Sequence, residues 1–216
     1  MQSQTFADWE WCVVDDCSTR PEVRSALASL GHADPRIRVL RRDTNGGIVA
    51  ASNDALAMCR GEFVAFLDHD DSLVPTALEQ MASTLGATGD VDYVYSDETH
   101  VFVDGREAAD FCKPDWSPER FRSSMYTCHL SMLRRDVITE VGGFRAGFDG
   151  RLKFLRPFLR QVVHRRRGNL HREGLRARNR HRHPSHRRKG ENTKRGHDHS
   201  LSSGLSAAFF AGIARA

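Results

Sequence analysis

Between residues 9 and 95, short apolar runs alternate with segments of helical period. Trp11-Cys12-Val13-Val14 is an apolar run closed by Asp15-Asp16. From Pro21 to Leu30 a proline stands at a first-turn position, and Val23, Ala26, Leu27 and Leu30 follow at helical spacing. Ile37 and Val39 alternate with arginines, and Asn45-Gly46-Gly47 reads as a turn. Ile48, Ala51, Ala55, Leu56 and Cys59 share one helix face. Phe63 to Leu67 is a continuous apolar run, as in a strand buried on both faces, and leads into Asp68-His69-Asp70-Asp71. A helix over Pro75 to Leu85 and a buried strand over Val91 to Tyr95 follow. Strands alternating with helices at this spacing predict an α/β domain with a mostly parallel sheet. Right-handed crossovers would bring the acidic strand exits to one edge.

The pattern stops at Gly150. Residues 1–150 carry 14 Lys and Arg against 25 Asp and Glu, a net of −11, whereas residues 151–216 carry 18 against 3, a net of +15. The pI near 9.0 therefore describes neither part, and gives the first part no affinity for nucleic acid. Low hydrophobicity with one-sign charge favours disorder, so the chain divides into a domain at 1–150 and a basic, low-order tail at 151–216. Only Leu205 to Ile213 is apolar within that tail, too short to make a domain. Five cysteines without a C-x-x-C pair or metal-ligand spacing suggest reduced thiols and a cytoplasmic protein. Cys12, inside an apolar strand, reads as a small core residue. Met1 to Trp11 lacks the features of a secretory signal, and no run approaches the roughly 18 apolar residues of a membrane span.

The chemistry concentrates at strand ends. Carboxylates at the exit of a buried strand are costly unless they bind a cation or accept hydrogen bonds. Asp68 and Asp70 offer hard oxygens suited to Mg²⁺ or Mn²⁺, which would also bind a diphosphate. The alternative is that Asp71 or Ser72 caps the next helix. Asp15-Asp16 could accept the imide N–H of a uracil or thymine ring, or form an Asx-turn with Ser18-Thr19 capping the helix at Pro21. Asn45-Gly46-Gly47 could present N–H groups to a phosphate, or be a turn with glycine at positive φ. No G-x-G-x-x-G is present, which removes support for a Rossmann dinucleotide site.

In order, the chain presents Gln4-Thr5-Phe6, Trp9-Glu10, Val14-Asp15-Asp16-Cys17-Ser18-Thr19, Asn45-Gly46-Gly47 through Asn53, and Gly61-Glu62-Phe63 through Asp71. This series resembles family 2 glycosyltransferases with the GT-A fold, a Rossmann-like nucleotide-diphospho-sugar transferase sheet. Tyr95-Ser96-Asp97-Glu98, Lys113-Pro114-Asp115-Trp116 and Gly142-Gly143-Phe144-Arg145 further resemble a bacterial branch of surface-polysaccharide synthesis. The resemblance covers residues 2–150. It implies that Asp68-His69-Asp70 is the family's Asp-x-Asp, with Asp68 facing the ribose and Asp70 on the metal. It implies that Asp16 or Asp15 holds the nucleobase and that Asn53 lies on the nucleotide-facing helix, where a plain surface Asn is the alternative. Asp97 and Glu98 would lie near the sugar, or form a turn, and His129 would line the acceptor side, or be a structural histidine. The implied partners are a UDP- or dTDP-sugar donor and a glycan or lipid-linked acceptor, with peripheral association at the inner face of a membrane and no specific nucleic acid.

Two departures from the family follow. The chain begins at the helix end that follows the family's first strand, which predicts an incomplete sheet with a central gap and unpaired backbone groups. The family's acidic stretch after Gly-Gly-Phe, which carries the general base, is replaced by Arg151-Leu152-Lys153-Phe154, and no acid follows until Glu173. No catalytic base is identifiable, so an impaired enzyme is expected. The compositional break reads as a shift of reading frame at or just after Gly150, or as a genuine basic tail for anionic lipid or nucleic acid.

Overall fold

The computed structural model describes residues 1–67, 71–88, 91–102, 104–128, 130–145, 179–183 and 207–213. The elements run β1 (Trp9–Asp15), α1 (Pro21–Ala33), β2 (Ile37–Arg41), α2 (Gly47–Met58), β3 (Phe63–Phe66), β4 (Asp71–Leu73), α3 (Ala77–Thr88), β5 (Tyr93–Tyr95) and β6 (Thr99–Phe102). They continue with α4 (Pro118–Ser123), β7 (Ser131–Arg134), α5 (Arg135–Glu140), β8 (Asn179–His183) and β9 (Ala207–Ile213).

Six strands form the main sheet in the order β2-β1-β9-β3-β7-β5. Only β1 and β2 pair in parallel; β9 is antiparallel to both β1 and β3, and β7 is antiparallel to both β3 and β5. The expectation of mostly parallel pairing is thus corrected, because β9 and β7 are interleaved among strands that share one direction. That direction is common to β1, β2, β3 and β5, so their C-terminal ends do lie along one edge.

The continuous apolar runs are explained by burial on both faces of the sheet. Cys12 and Val14, Val64, Leu133 and Tyr93 face a layer containing Ala51 and Ala55 of α2, Phe121 of α4 and Ile138 of α5. Their neighbours Trp9, Phe63 and Ala65, Met132 and Val94 face Leu78, Met81 and Leu85 of α3. Alternation along each strand splits one apolar run between two cores. The predicted stripe on α1 is only half covered, with no fully buried residue, and Ile48 at the start of α2 is exposed.

The slot between β1 and β3, where a central gap was expected, holds β9. Its backbone registers Trp9 through Asp15 against Ile213 through Ala207, and Phe63 through Phe66 against Ile213 through Phe210. A second, three-stranded sheet has the order β4-β8-β6. Both tail strands therefore pair with elements from the first 102 residues, across the compositional boundary at 150.

Neither Asp71 nor Ser72 caps α3, since both lie in β4. Gln4 does that work from outside: its Oε1 accepts from the Leu78 N–H at 3.0 Å and its Nε2 donates to the Val74 carbonyl at 2.8 Å. The Thr5 N–H adds a bond to the Pro75 carbonyl at 2.8 Å.

Candidate functional site

The common edge starts at the end of β1. Asp15 Oδ1 accepts from the Ser18 N–H at 2.8 Å, and Oδ2 lies 3.4 Å from Arg41. This is the Asx-type turn that was one of the two readings; the helix cap at Ser18-Thr19 is not, since Arg20 takes that position without a side-chain bond. The turn forces Cys17 to φ +63°, a left-handed conformation that costs a side-chain-bearing residue about 1–2 kcal/mol.

Asp16 organises the neighbouring loop. Its carboxylate accepts from the Gly46 N–H at 2.8 Å, the Gly47 N–H at 2.7 Å and Arg42 Nη1 at 2.7 Å. Arg42 also reaches Asp54 on α2 at 2.8 Å, and its own N–H bonds the Asp15 carbonyl at 2.9 Å. Burial pushes the Asp16 carboxyl up, but the Gly46 N–H, the Arg42 guanidinium and the Gly47 N–H outweigh it and hold the group below the usual carboxylate range. Gly47 has φ +76°, and a Cβ at Gly46 would meet the Ala50 Cβ at 2.8 Å. The Asn45-Gly46-Gly47 segment is therefore a turn closed on Asp16, and its N–H groups are spent there rather than turned toward a phosphate. The side chains of Asp15 and Asp16 are 2% and 0% exposed. They stand within the wall of the edge and are bonded to the chain.

Asn53 lies on α2, bonded to the segment that follows α5. Its Nδ2 donates to the Phe144 carbonyl at 3.0 Å and its Oδ1 accepts from the Phe144 N–H at 2.9 Å. Both polar atoms clamp the Gly-Gly-Phe segment onto α2, so Asn53 ties these two elements together. Gly143, at φ +67°, is required here, because a Cβ would meet Asn53 Oδ1 at 2.6 Å.

At the end of β5, Asp97 Oδ1 accepts from the Lys113 N–H at 2.7 Å, and Glu98 Oε2 pairs with Lys113 Nζ at 3.0 Å. Lys113 Nζ also donates to the Cys128 carbonyl at 2.5 Å, and its side chain is 1% exposed. Burial lowers its pKa, against the pull of Glu98. His100 Nε2 lies 3.3 Å from Glu98 Oε1. The Tyr95 hydroxyl donates to the Pro114 carbonyl at 2.8 Å. The motifs at 95–98 and 113–116 thus form one fastened unit. Asp68, His69 and Asp70, at the exit of β3, and His129 lie outside the described residues.

The sequence matches the family described as Glycosyl transferase family 2 over residues 1–142. The chain belongs to that family. It is 42% identical over 150 residues to the O-antigen biosynthesis protein RfbC of Myxococcus xanthus, covering 69% of this chain and 12% of that protein. It is 31% identical over 131 residues to a chondroitin synthase of Pasteurella multocida, covering 60% of this chain and 13% of the synthase. The structure of S. aureus TarS residues 1–349 superposes with a TM-score of 0.54 at 22% identity, over 71% of this chain and 46% of TarS, which shows the GT-A fold.

In this family 2 domain, several organising residues escaped the sequence reading. Arg42 carries no motif that singles it out, and Gln4 stands only as a motif member without a task. The pairing of Lys113 with Glu98 had a signal, because both lie in quoted motifs. The bond between Asn53 and Phe144, 91 residues apart, had none.

Proposed function

We propose that this chain is a glycosyltransferase by descent, built to transfer a sugar from a nucleotide-diphospho-sugar, with a UDP- or dTDP-sugar as donor, to a glycan or lipid-linked acceptor of a bacterial surface polysaccharide, and impaired in that transfer. The single observation carrying this reading is the common direction of β1, β3 and β5. It brings Asp15-Asp16 and Asp97-Glu98 to the sheet edge at which β3 also ends, and in the sequence β3 is followed by Asp68-His69-Asp70. The named relatives support the polysaccharide setting.

Asp15 and Asp16 would build the base-side wall, Asp68 would face the ribose, and Asp97 and Glu98 would flank the sugar. Asp70, with Asp68, would hold Mg²⁺ or Mn²⁺, a fit that rests on the hard-oxygen chemistry of two carboxylates in sequence at a strand exit. When bound, such an ion supplies Lewis-acid stabilisation of the departing diphosphate. A positioned carboxylate would still have to take the acceptor proton, and none follows Gly150 until Glu173. The chain is accordingly proposed to bind donor while turning it over slowly or not at all.

Calorimetric titration of UDP with Mn²⁺ into the 216-residue chain tests the binding half. Binding that needs Mn²⁺, is lost in Asp70→Ala and is kept in the surface control Asp104→Ala supports the reading; no metal-dependent binding by the folded chain refutes it. Sugar transfer by the purified chain, abolished by Asp70→Ala, would refute the proposed impairment. The net charge of +15 on residues 151–216 favours a second reading, a non-catalytic chain that binds anionic surfaces. Salt-dependent retention on heparin that disappears when those residues are removed would support it.

A further inference from the structure

Beneath the edge, midway along β1, two cysteines meet. Cys12 on β1 is 0% exposed and Cys59, just past α2, is 4% exposed. Their sulfurs and a Glu10 carboxylate oxygen all lie within 4.8 Å of one another. Arg38 on β2 closes the group: its Nη2 lies 3.3 Å from Cys12 Sγ and bonds both Glu10 and the Met58 carbonyl. The second Glu10 oxygen accepts from the Arg60 and Gly61 N–H groups. Two thiols and a carboxylate would suit a soft cation, but the Arg38 guanidinium already supplies the positive charge, and both Glu10 oxygens have donors.

A guanidinium beside a thiol favours the thiolate, the nucleophilic form. The two sulfurs are unequal. The Cys59 thiol, helped by Arg38, outweighs burial and Glu10 to lower the Cys12 pKa, while the Cys12 sulfur and burial raise that of Cys59. The Cys59 proton also has the Ala55 carbonyl as an acceptor at 3.2 Å. Glu10 and Arg38, with side chains 17% and 28% exposed, are the partly exposed members of the group.

We propose that Cys12 and Cys59 are a peroxide-sensitive dithiol, with Cys12 as the attacking sulfur and Cys59 as the resolving one. The Cys12 thiolate attacks one oxygen of hydrogen peroxide. The O–O bond breaks, hydroxide leaves and is protonated to water, and Cys12 becomes a sulfenic acid. Cys59 sulfur then attacks Cys12 sulfur, the S–O bond breaks, and the departing hydroxide takes the Cys59 proton as a second water. Two thiols and one peroxide thus give one disulfide and two waters. The product ties the end of α2 to β1.

The test treats the full chain with hydrogen peroxide, alkylates remaining thiols, and maps peptides by mass spectrometry. The expected product is a Cys12–Cys59 linked peptide, two hydrogens lighter than its parts and released by dithiothreitol, with Cys17, Cys112 and Cys128 alkylated. In Cys59→Ser, dimedone is expected to trap a sulfenic acid at Cys12. Recovery of Cys12 and Cys59 as free thiols while Cys112 oxidises overturns the proposal, as does a Cys59→Ser chain with no dimedone adduct at Cys12. Protection of both sulfurs from alkylation by Zn²⁺ alone would also overturn it, in favour of a metal site.

Discussion

Cys17 carries a cost that a single substitution can remove. It is the only described residue other than glycine with positive φ, held there by the Asp15–Ser18 turn. Its sulfur makes one long contact, 3.5 Å to the Asp43 carbonyl, too weak to repay left-handed backbone strain. Cys17→Gly is expected to stabilise the fold by about 1 kcal/mol, read as a higher urea midpoint at unchanged m-value. An unchanged or lower midpoint would mean the Asp43 contact outweighs the strain. Sequence alone displayed Asp15-Asp16-Cys17-Ser18 as a turn, but the left-handed φ at Cys17 is seen only in the folded turn.

Among the elements, the loop from β2 into α2 depends on one buried carboxylate. Asp16 accepts three hydrogen bonds that fix the positions of Arg42, Gly46 and Gly47. Because the fold holds its pKa below the unfolded value of about 3.9, its contribution is fully present above that pH. It is lost as pH falls through the lower folded value. Asp16→Asn is therefore expected to cost about 1–3 kcal/mol at pH 7, with the gap to wild type narrowing below about pH 4. Chemical unfolding of both proteins from pH 7 to pH 3 measures this; a gap independent of pH would show that the charge is not what organises the loop. The alternation of strands and helices was readable because burial on both faces of a sheet demands apolar runs, and one-sided burial demands helical spacing. The caps were less readable. Gln4 serves α3 from 74 residues away, a pairing that local sequence does not encode.

For the whole molecule, β9 is the element on which the sheet turns. Strands β1 and β3, which lead to two of the three acidic exits, are joined in the sheet only through β9. Removing it exposes a full strand of backbone donors and acceptors on each side, a loss expected to exceed the roughly 5–15 kcal/mol margin of a domain. A chain ending at residue 204 should lose its cooperative thermal transition and the hydrogen-exchange protection of Trp9–Asp15 and Phe63–Phe66. Retention of both would show that β9 is not what holds these strands. Among the described residues, no helix is long and apolar enough to cross a membrane.

By itself the sequence determined the order of the elements, the two-sided core and the placement of acidic groups at strand ends, because each follows from local periodicity and the cost of burying charge. It also carried the family, through motifs whose spacing survives in linear text. Tertiary structure decided what those polar residues are bonded to. Asp16 closes on a loop 30 residues away, Asn53 on a segment 91 residues away, and the Leu205–Ile213 run, too short to fold alone, contributes a strand between two partners. A side chain's chemistry is written locally, but hydrogen-bond partners and strand neighbours are settled by the whole chain's competition to satisfy every buried donor and acceptor.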